Sequence, residues 1–414
     1  MIRRSAPYLV TLTLVLAGCS TLSTPMTTTS TTTSTTVPTT ATTLPLSTTP
    51  GFGRTEIPPI NRISLTTRVN TTIAPIMQTW IASYHHAVRK VTFQSSVTDS
   101  GASIVDTANA TNDIGSSGAV LPTAENASDP QLLNIPVAVS AVAVEYNLPG
   151  ITTLRLTPTV LALIYEGLIT NWNDPLIAKL NPKLTLPTET ITTLHRSDGS
   201  AATDTFTQYL SQALPKSWGS PSGVGAGYLV KWPSLPAQKS ASSNAAMVSE
   251  CAATPGCITY VQTALSASAA ATSTATTTST AAATTTTTLA ATAGPTLGQV
   301  QVQNPSGTFV LPTRQSVAAE TRALPNTLPG NEDISLVSTS ALNGYPLSNF
   351  EFAIVSNHQS GPVRAHALRS FLAWTLDPAH GGSLTLLREF GLLALPYAVQ
   401  QLSLSQVRSI GPKY

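Results

Sequence analysis

Charge is what this 414-residue chain has least of. Asp, Glu, Lys and Arg make up 10% of it, against about 25% in an average soluble domain. Two stretches, Ser5–Gly53 and Cys251–Thr313, carry none at all. With 21 basic and 19 acidic residues and no cluster of Lys and Arg, the chain lacks the footprint of a polyanion binder, which excludes nucleic-acid recognition. It also lacks the net charge of a highly charged disordered chain. Cysteine is scarce, three in all, and aromatics make up 6%. There is no P-loop, no G-x-S-x-G and no H-E-x-x-H, so the expectation is a protein that is not an enzyme and uses no cofactor or metal. The length fits about two domains.

The N-terminus supplies a location. Arg3 and Arg4 precede an apolar run, Tyr8 to Ala17. That run is too short to span a bilayer core of about 30 Å and reads as an export signal. It closes on Leu16-Ala17-Gly18-Cys19, which resembles the bacterial lipoprotein box. The resemblance implies removal of 1–18 and lipidation of Cys19, with the protein held on the outer face of the cell membrane. An ordinary signal peptide or an uncleaved anchor is the alternative. Without 1–18 the chain has 19 basic and 19 acidic residues, a formal net charge of zero. Residues 19–59, dominated by Thr, Ser and Pro, read as an extended tether. The remaining cysteines, Cys251 and Cys257, flank Pro255-Gly256. Outside the cell such a pair reads as a small local disulfide. A metal or redox pair is the rival, although the spacing is not C-x-x-C and no His lies nearby.

Beyond the tether, periodicity alternates. Ile76, Trp80, Ile81 and Tyr84 mark one face of a helix beginning near Pro75. Val91–Gln94, the strongly apolar Ile135–Val144, Ile191–Leu194 and Phe352–Val355 read as strands. Thr157-Pro158 starts a helix, with Thr as N-cap and Pro first, and Gly167 stops it. A helix runs from Ser200 to about Leu214, and another over Pro362–Leu376. Strands alternating with helices predict an α/β fold with mainly parallel sheets. A second low-complexity tract, about 264–296, reads as a surface insertion, with a flat added strand as the alternative.

The chemistry concentrates in His195-Arg196-Ser197-Asp198-Gly199-Ser200-Ala201-Ala202. A strand ends, Asp-Gly turns and a helix begins, leaving unpaired N–H groups that favour an anion. Arg196 adds a bidentate donor, and Asp198 is placed to orient it. A capped helix with a surface ion pair is the bland alternative.

Around that run, TPTVLALIYEGLITNWNDPLIAKLNPKLTLP followed by ITTLHRSDGSAATDTFTQYL closely resembles the phosphate-binding proteins of phosphate-specific ABC importers. TTIAPIMQTWIASY, NDIGSSGAVL, IPVAVSAVAVEYNLPG, YLVKWP, TPGCITY and LPYAVQQLSLSQVRSI follow that family's order, over about 65–265 and 335–410. The resemblance implies a two-lobed type II periplasmic-binding-protein fold with hinge strands. Lobe I would be 60–146 and 345–414, and lobe II 147–344 with the insertion. Crossings are expected near Tyr146–Gly150 and Asp333–Leu347. It further implies a monomeric receptor that captures phosphate, or a related oxyanion, and hands it to a membrane permease. A surface sensor or adhesion protein with a degenerate site is the alternative.

Carried over residue by residue, the family's contacts fall on Thr71 and Thr72, where the family's Phe is lost, and on Ser100 in an altered loop. They continue on Arg196, Ser200 and the backbone of Ala201 and Ala202, with Thr203 available to replace a lost hydroxyl. The sharpest departure is Gly118, which stands where the family has the Asp that accepts the proton of hydrogen phosphate. Asp99 is a candidate substitute acceptor. The glycine-rich loop after K-W-P is replaced by SLPAQKSASSN. His85-His86 reads as solvent-facing, and Trp172 and Trp232 as structural.

Overall fold

The computed structural model describes residues 61–121, 131–265, 297–325, 328 and 334–412. The expected export signal, the expected lipidation site Cys19, the expected tether and most of the Thr/Ala-rich insertion lie outside the described residues. Thirteen strands alternate with ten helices among those described. The strands are β1 Ile63–Asn70, β2 Val91–Thr98, β3 Ile114–Ser117, β4 Leu132–Tyr146, β5 Leu154–Leu156, β6 Thr192–Arg196, β7 Gln238–Ala241, β8 Cys257–Thr263, β9 Gly298–Gln303, β10 Phe309–Val310, β11 Ser348–Ser356, β12 His358–Gln359 and β13 Gly411–Pro412. The helices, numbered in chain order, are α1 Ala74–Ala87, α2 Ser100–Ala108, α3 Pro158–Tyr165, α4 Pro175–Leu180, α5 Ala201–Ala213, α6 Asn244–Ala252, α7 Arg314–Arg322, α8 Pro362–Leu376, α9 Leu384–Glu389 and α10 Tyr397–Ser409.

The fold is α/β as expected, but the main sheet is mixed rather than mainly parallel. Its order is β2-β1-β3-β11-β4-β8-β6-β7. The flanks are parallel, β1 with β2 and β3, and β6 with β7 and β8. The centre is antiparallel, with β11 against β3 and β4, and β4 against β8. The parallel flanks come from strand–helix–strand crossovers, whose spacing is visible locally. The antiparallel centre pairs segments more than a hundred residues apart, and for β11 with β3 and β4 about two hundred, which no local periodicity reports.

Two large hydrophobic cores sit along this sheet among the described residues, beside a small third cluster of Ile104, Leu121, Leu132 and Ile354. One gathers Leu65, Trp80, Tyr84, Ile135, Val355, Phe371 and Leu404. The other gathers Val144, Trp172, Phe206, Tyr260, Val300 and Phe350. β4 and β11 serve both. Ala138 and Ala353 pack in the first core, Val139 and Phe352 in the second. All fifteen residues of β4 are buried, as a strand covered on both faces requires. The expected lobe boundaries at 146/147 and 344/345 lie to the second core's side of this change.

Local signals act as their chemistry dictates. Thr157 Oγ1 accepts from Val160 N at 3.2 Å and caps α3. Gly167 follows that helix at φ +74°, which only glycine adopts without strain. Cys251 and Cys257 are joined by a disulfide that closes the α6–β8 turn. Trp172 is fully buried and donates its indole N–H to Gly256 O at 2.9 Å. Trp232 stacks on His195 and Tyr260. His85 Nδ1 lies 2.8 Å from Val91 O, and His86 is exposed. No helix among the described residues is long and apolar enough to cross a membrane.

Candidate functional site

Parallel pairing places the site. β1 and β2 run in unbroken register, so Asn70 and Thr98 end side by side. β6 and β7 do the same with Arg196 and Ala241. Each of these strand ends feeds a helix, so α1, α2, α5 and α6 all begin at one small polar pocket. It is lined by Asn70, Thr71, Thr72, Asp99, Ser100, Arg196, Ser200, Ala201, Ala202, Asn244 and Gln262. A ligand beyond the carboxyl ends of parallel strands is the general arrangement in such sheets. Helix N-termini direct unpaired N–H groups and partial positive charge at it.

The caps fix these helix starts. Asp99 Oδ1 accepts from Ala102 N at 2.8 Å on α2, and Ser200 Oγ from Ala202 N at 3.1 Å on α5. Ser243 Oγ accepts from Ala246 N at 3.1 Å on α6. Ahead of α1, Asn70 Oδ1 accepts from the N–H groups of Thr72 and Ile73 at 3.0 and 2.9 Å. Arg196 is 5% exposed. Its Nε donates to Asp198 Oδ1 at 2.6 Å, and Nη2 pairs with Asp198 Oδ2. Nη1 donates to Asn244 Oδ1 at 3.3 Å. Asp198 therefore neutralises and aligns the guanidinium from outside the lining.

The structure brings Thr71, Thr72, Ser100, Arg196, Ser200, Ala201 and Ala202 to one pocket and sets Asp198 behind Arg196. Asp99 joins the lining, held as the cap of α2. Thr203 does not join it. Its Oγ1 meets the Tyr260 hydroxyl at 2.9 Å, because a residue three past the cap faces the core side of α5. Gly118 lies beside the pocket rather than in its lining. A β-carbon there would stand 2.7 Å from Asn349 Nδ2, 2.9 Å from the Ala201 β-carbon and 3.0 Å from Glu351 Oε1. Asn70, Asn244 and Gln262 are lining residues that sequence reasoning missed. Asn70 had a signal, standing at a strand end just before Thr71-Thr72. Asn244 closes the SLPAQKSASSN segment that replaces the glycine-rich loop. Gln262, inside a strand, had none.

The two sides of the pocket touch. Gly101 N donates to Gly199 O at 3.1 Å. A β-carbon on Gly199 would meet Gly101 Cα at 3.0 Å, so glycine is needed for this close approach.

A family model described as a PBP superfamily domain matches residues 27–379. The chain belongs to the PBP superfamily. It is similar to the phosphate-binding protein PstS of Methanocaldococcus jannaschii, at 30% identity over 300 residues, 68% of each chain. It is likewise similar to the phosphate-binding protein PstS of Xylella fastidiosa, at 30% over 311 residues, 74% of this chain and 75% of that one. Among solved structures, a high-affinity periplasmic phosphate-binding protein (PfluDING) bound with phosphate superposes with a TM-score of 0.59 at 16% identity. That superposition covers 82% of this chain and 92% of the other. This PBP-superfamily chain therefore shares the fold of that structure and the sequence family of the two PstS proteins.

Proposed function

We propose that the protein is an extracytoplasmic solute receptor that binds phosphate, or a closely related oxyanion, and delivers it to an ABC importer. The observation that carries this reading is the convergence of four helix N-termini and the Arg196 guanidinium on one small pocket. Such a site binds a compact anion through N–H and O–H donors and needs no nucleophile, base or metal. The named function of the PstS relatives supports phosphate as that anion.

The chain works as two lobes, one built on each large hydrophobic core, with β4 and β11 passing between them. The pocket draws on both, Thr71, Thr72 and Ser100 from one and Arg196, Ser200 and Asn244 from the other. The Gly101–Gly199 contact is the latch of the closed state, which the permease reads as occupied. Cys19 carries the lipid that holds the receptor at the membrane, and residues 19–59 are its tether.

Calorimetric titration of the exported form with phosphate, arsenate and sulfate tests the reading. One-to-one binding of phosphate is expected, and no heat from any of the three sinks it.

A further inference from the structure

A carboxylate lies beneath the pocket without being part of its lining. Glu351, in β11, is fully buried. Its Oε1 accepts from Ser140 Oγ at 2.7 Å and Gln262 Nε2 at 2.9 Å, and its Oε2 from Asn70 Nδ2 at 3.1 Å. Asn70 and Gln262 line the pocket, so two amides, from β1 and β8, separate this carboxylate from a bound anion. Gln262 Nε2 also reaches Asn349 Oδ1 at 3.2 Å. Two acceptors on that side require the amide nitrogen there. The carbonyl oxygen is turned away from them and has no hydrogen-bond partner among the described residues. Glu351 thus fixes Gln262 with an acceptor left over beside the ligand. Gly118 belongs to the same arrangement. Its missing β-carbon would stand 3.0 Å from Glu351 Oε1, so a side chain at 118 and the carboxylate at 351 compete for one space.

We propose that Glu351 is the specificity-determining carboxylate of this site, acting through Gln262 and Asn70 to admit oxyanions that carry a proton, such as hydrogen phosphate, and to disfavour fully ionised dianions, such as sulfate. The inference rests on the oxyanion reading above and adds the residue that selects within it. A protonated oxyanion donates its O–H to the Gln262 carbonyl. Sulfate carries the same charge as hydrogen phosphate at pH 8 but has no O–H to give, so it is rejected because its oxygen faces an unmatched acceptor.

The neighbours of Glu351 from β1, β4, β8 and β11, namely Asn70, Ser140, Gln262 and Asn349, do not titrate. The charged groups around the pocket are Arg196, Asp198 and Asp99. Asp204 lies further along α5, where burial raises it to about 6. Burial also raises Glu351 to about 6, offset in part by its four hydrogen-bonding neighbours. Glu351 is therefore ionised at pH 8 and largely protonated at pH 5. Sulfate stays a dianion throughout, so only the protein's charge changes under it.

The test is calorimetric titration of the wild-type protein with phosphate and with sulfate from pH 5 to 8. Sulfate affinity should rise about tenfold or more from pH 8 to pH 5. Asp204→Asn should keep that rise. Glu351→Gln should abolish it and cut the phosphate-to-sulfate preference at pH 8 by about tenfold, whereas Glu351→Asp should retain the preference. If Glu351→Gln does not fold, the wild-type pH series decides alone. Phosphate binding accompanied by sulfate binding that is equal at pH 5 and 8, or by no sulfate binding at either, overturns this inference and leaves the oxyanion reading standing. Absence of phosphate binding at every pH overturns both.

Discussion

Asp198 occupies the Nε–Nη2 edge of Arg196, leaving Nη1 to face Asn244 and the pocket. The guanidinium is therefore locked in orientation and neutralised before any ligand arrives. With 21 basic and 19 acidic residues the chain has little net charge to gather anions from a distance, so selection rests on local donors. Hydrogen bonds to charged groups contribute about 1.5–3 kcal/mol each. Arg196→Ala should weaken phosphate binding about 10- to 100-fold, measured by calorimetry, and lower thermal stability as well, because Asp198 loses its buried partner. Arg196→Lys should restore little, because an ammonium cannot hold the Asp198 edge and present a second donor at once.

The Gly101–Gly199 contact predicts a closure defect. Gly199→Ala puts a β-carbon 3.0 Å from the Gly101 backbone, where no flexible side chain can yield. Phosphate affinity should fall about tenfold through faster release, read as a higher off-rate in stopped-flow. The melting temperature without ligand should stay close to wild type.

Gly118 and Glu351 should behave as a coupled pair. Gly118→Asp alone forces atoms into occupied space and should cost about 1–3 kcal/mol in denaturant unfolding. Combined with Glu351→Ala it should recover part of that loss, because the space is vacated. Strict additivity of the two changes in a double-mutant cycle would show that they do not share a site.

Stability without ligand should increase on mild acidification. Burial raises Glu351 and Asp204 to about 6 and Glu320 to about 7. The folded state therefore binds more protons than the unfolded state between the ordinary carboxylate range and those values. Unfolding free energy then falls as pH rises through that window. For Glu351 alone, a rise from 4.5 to about 6 corresponds to about 2 kcal/mol. The melting temperature should be higher at pH 5 than at pH 8, and Glu351→Gln should reduce the difference.

Much of this was legible in the chain, for identifiable reasons. α8 was expected over Pro362–Leu376 and occupies it, because Pro at the first turn fixes where the helix starts. The Arg196–Asp198–Ser200 constellation is contiguous, so its geometry follows from one strand–turn–helix. The antiparallel pairing of β4 with β11 was not legible, since both strands read simply as apolar. Nor was Glu351, a carboxylate in the run NFEFAIV that ordinary alternation would assign to a solvent face. Its burial follows from partners on β1, β4 and β8 that meet only in the folded protein. Thr203 was misplaced for the opposite reason: its distance from the cap was clear, but the face of α5 it occupies depends on Tyr260.

The most direct measurement is phosphate titration of the purified protein at pH 8, beside Arg196→Ala. One site of micromolar or tighter affinity, lost or strongly weakened in the variant, is the predicted result. A folded protein that takes up no phosphate at millimolar concentration, or one whose binding ignores Arg196, would contradict the account.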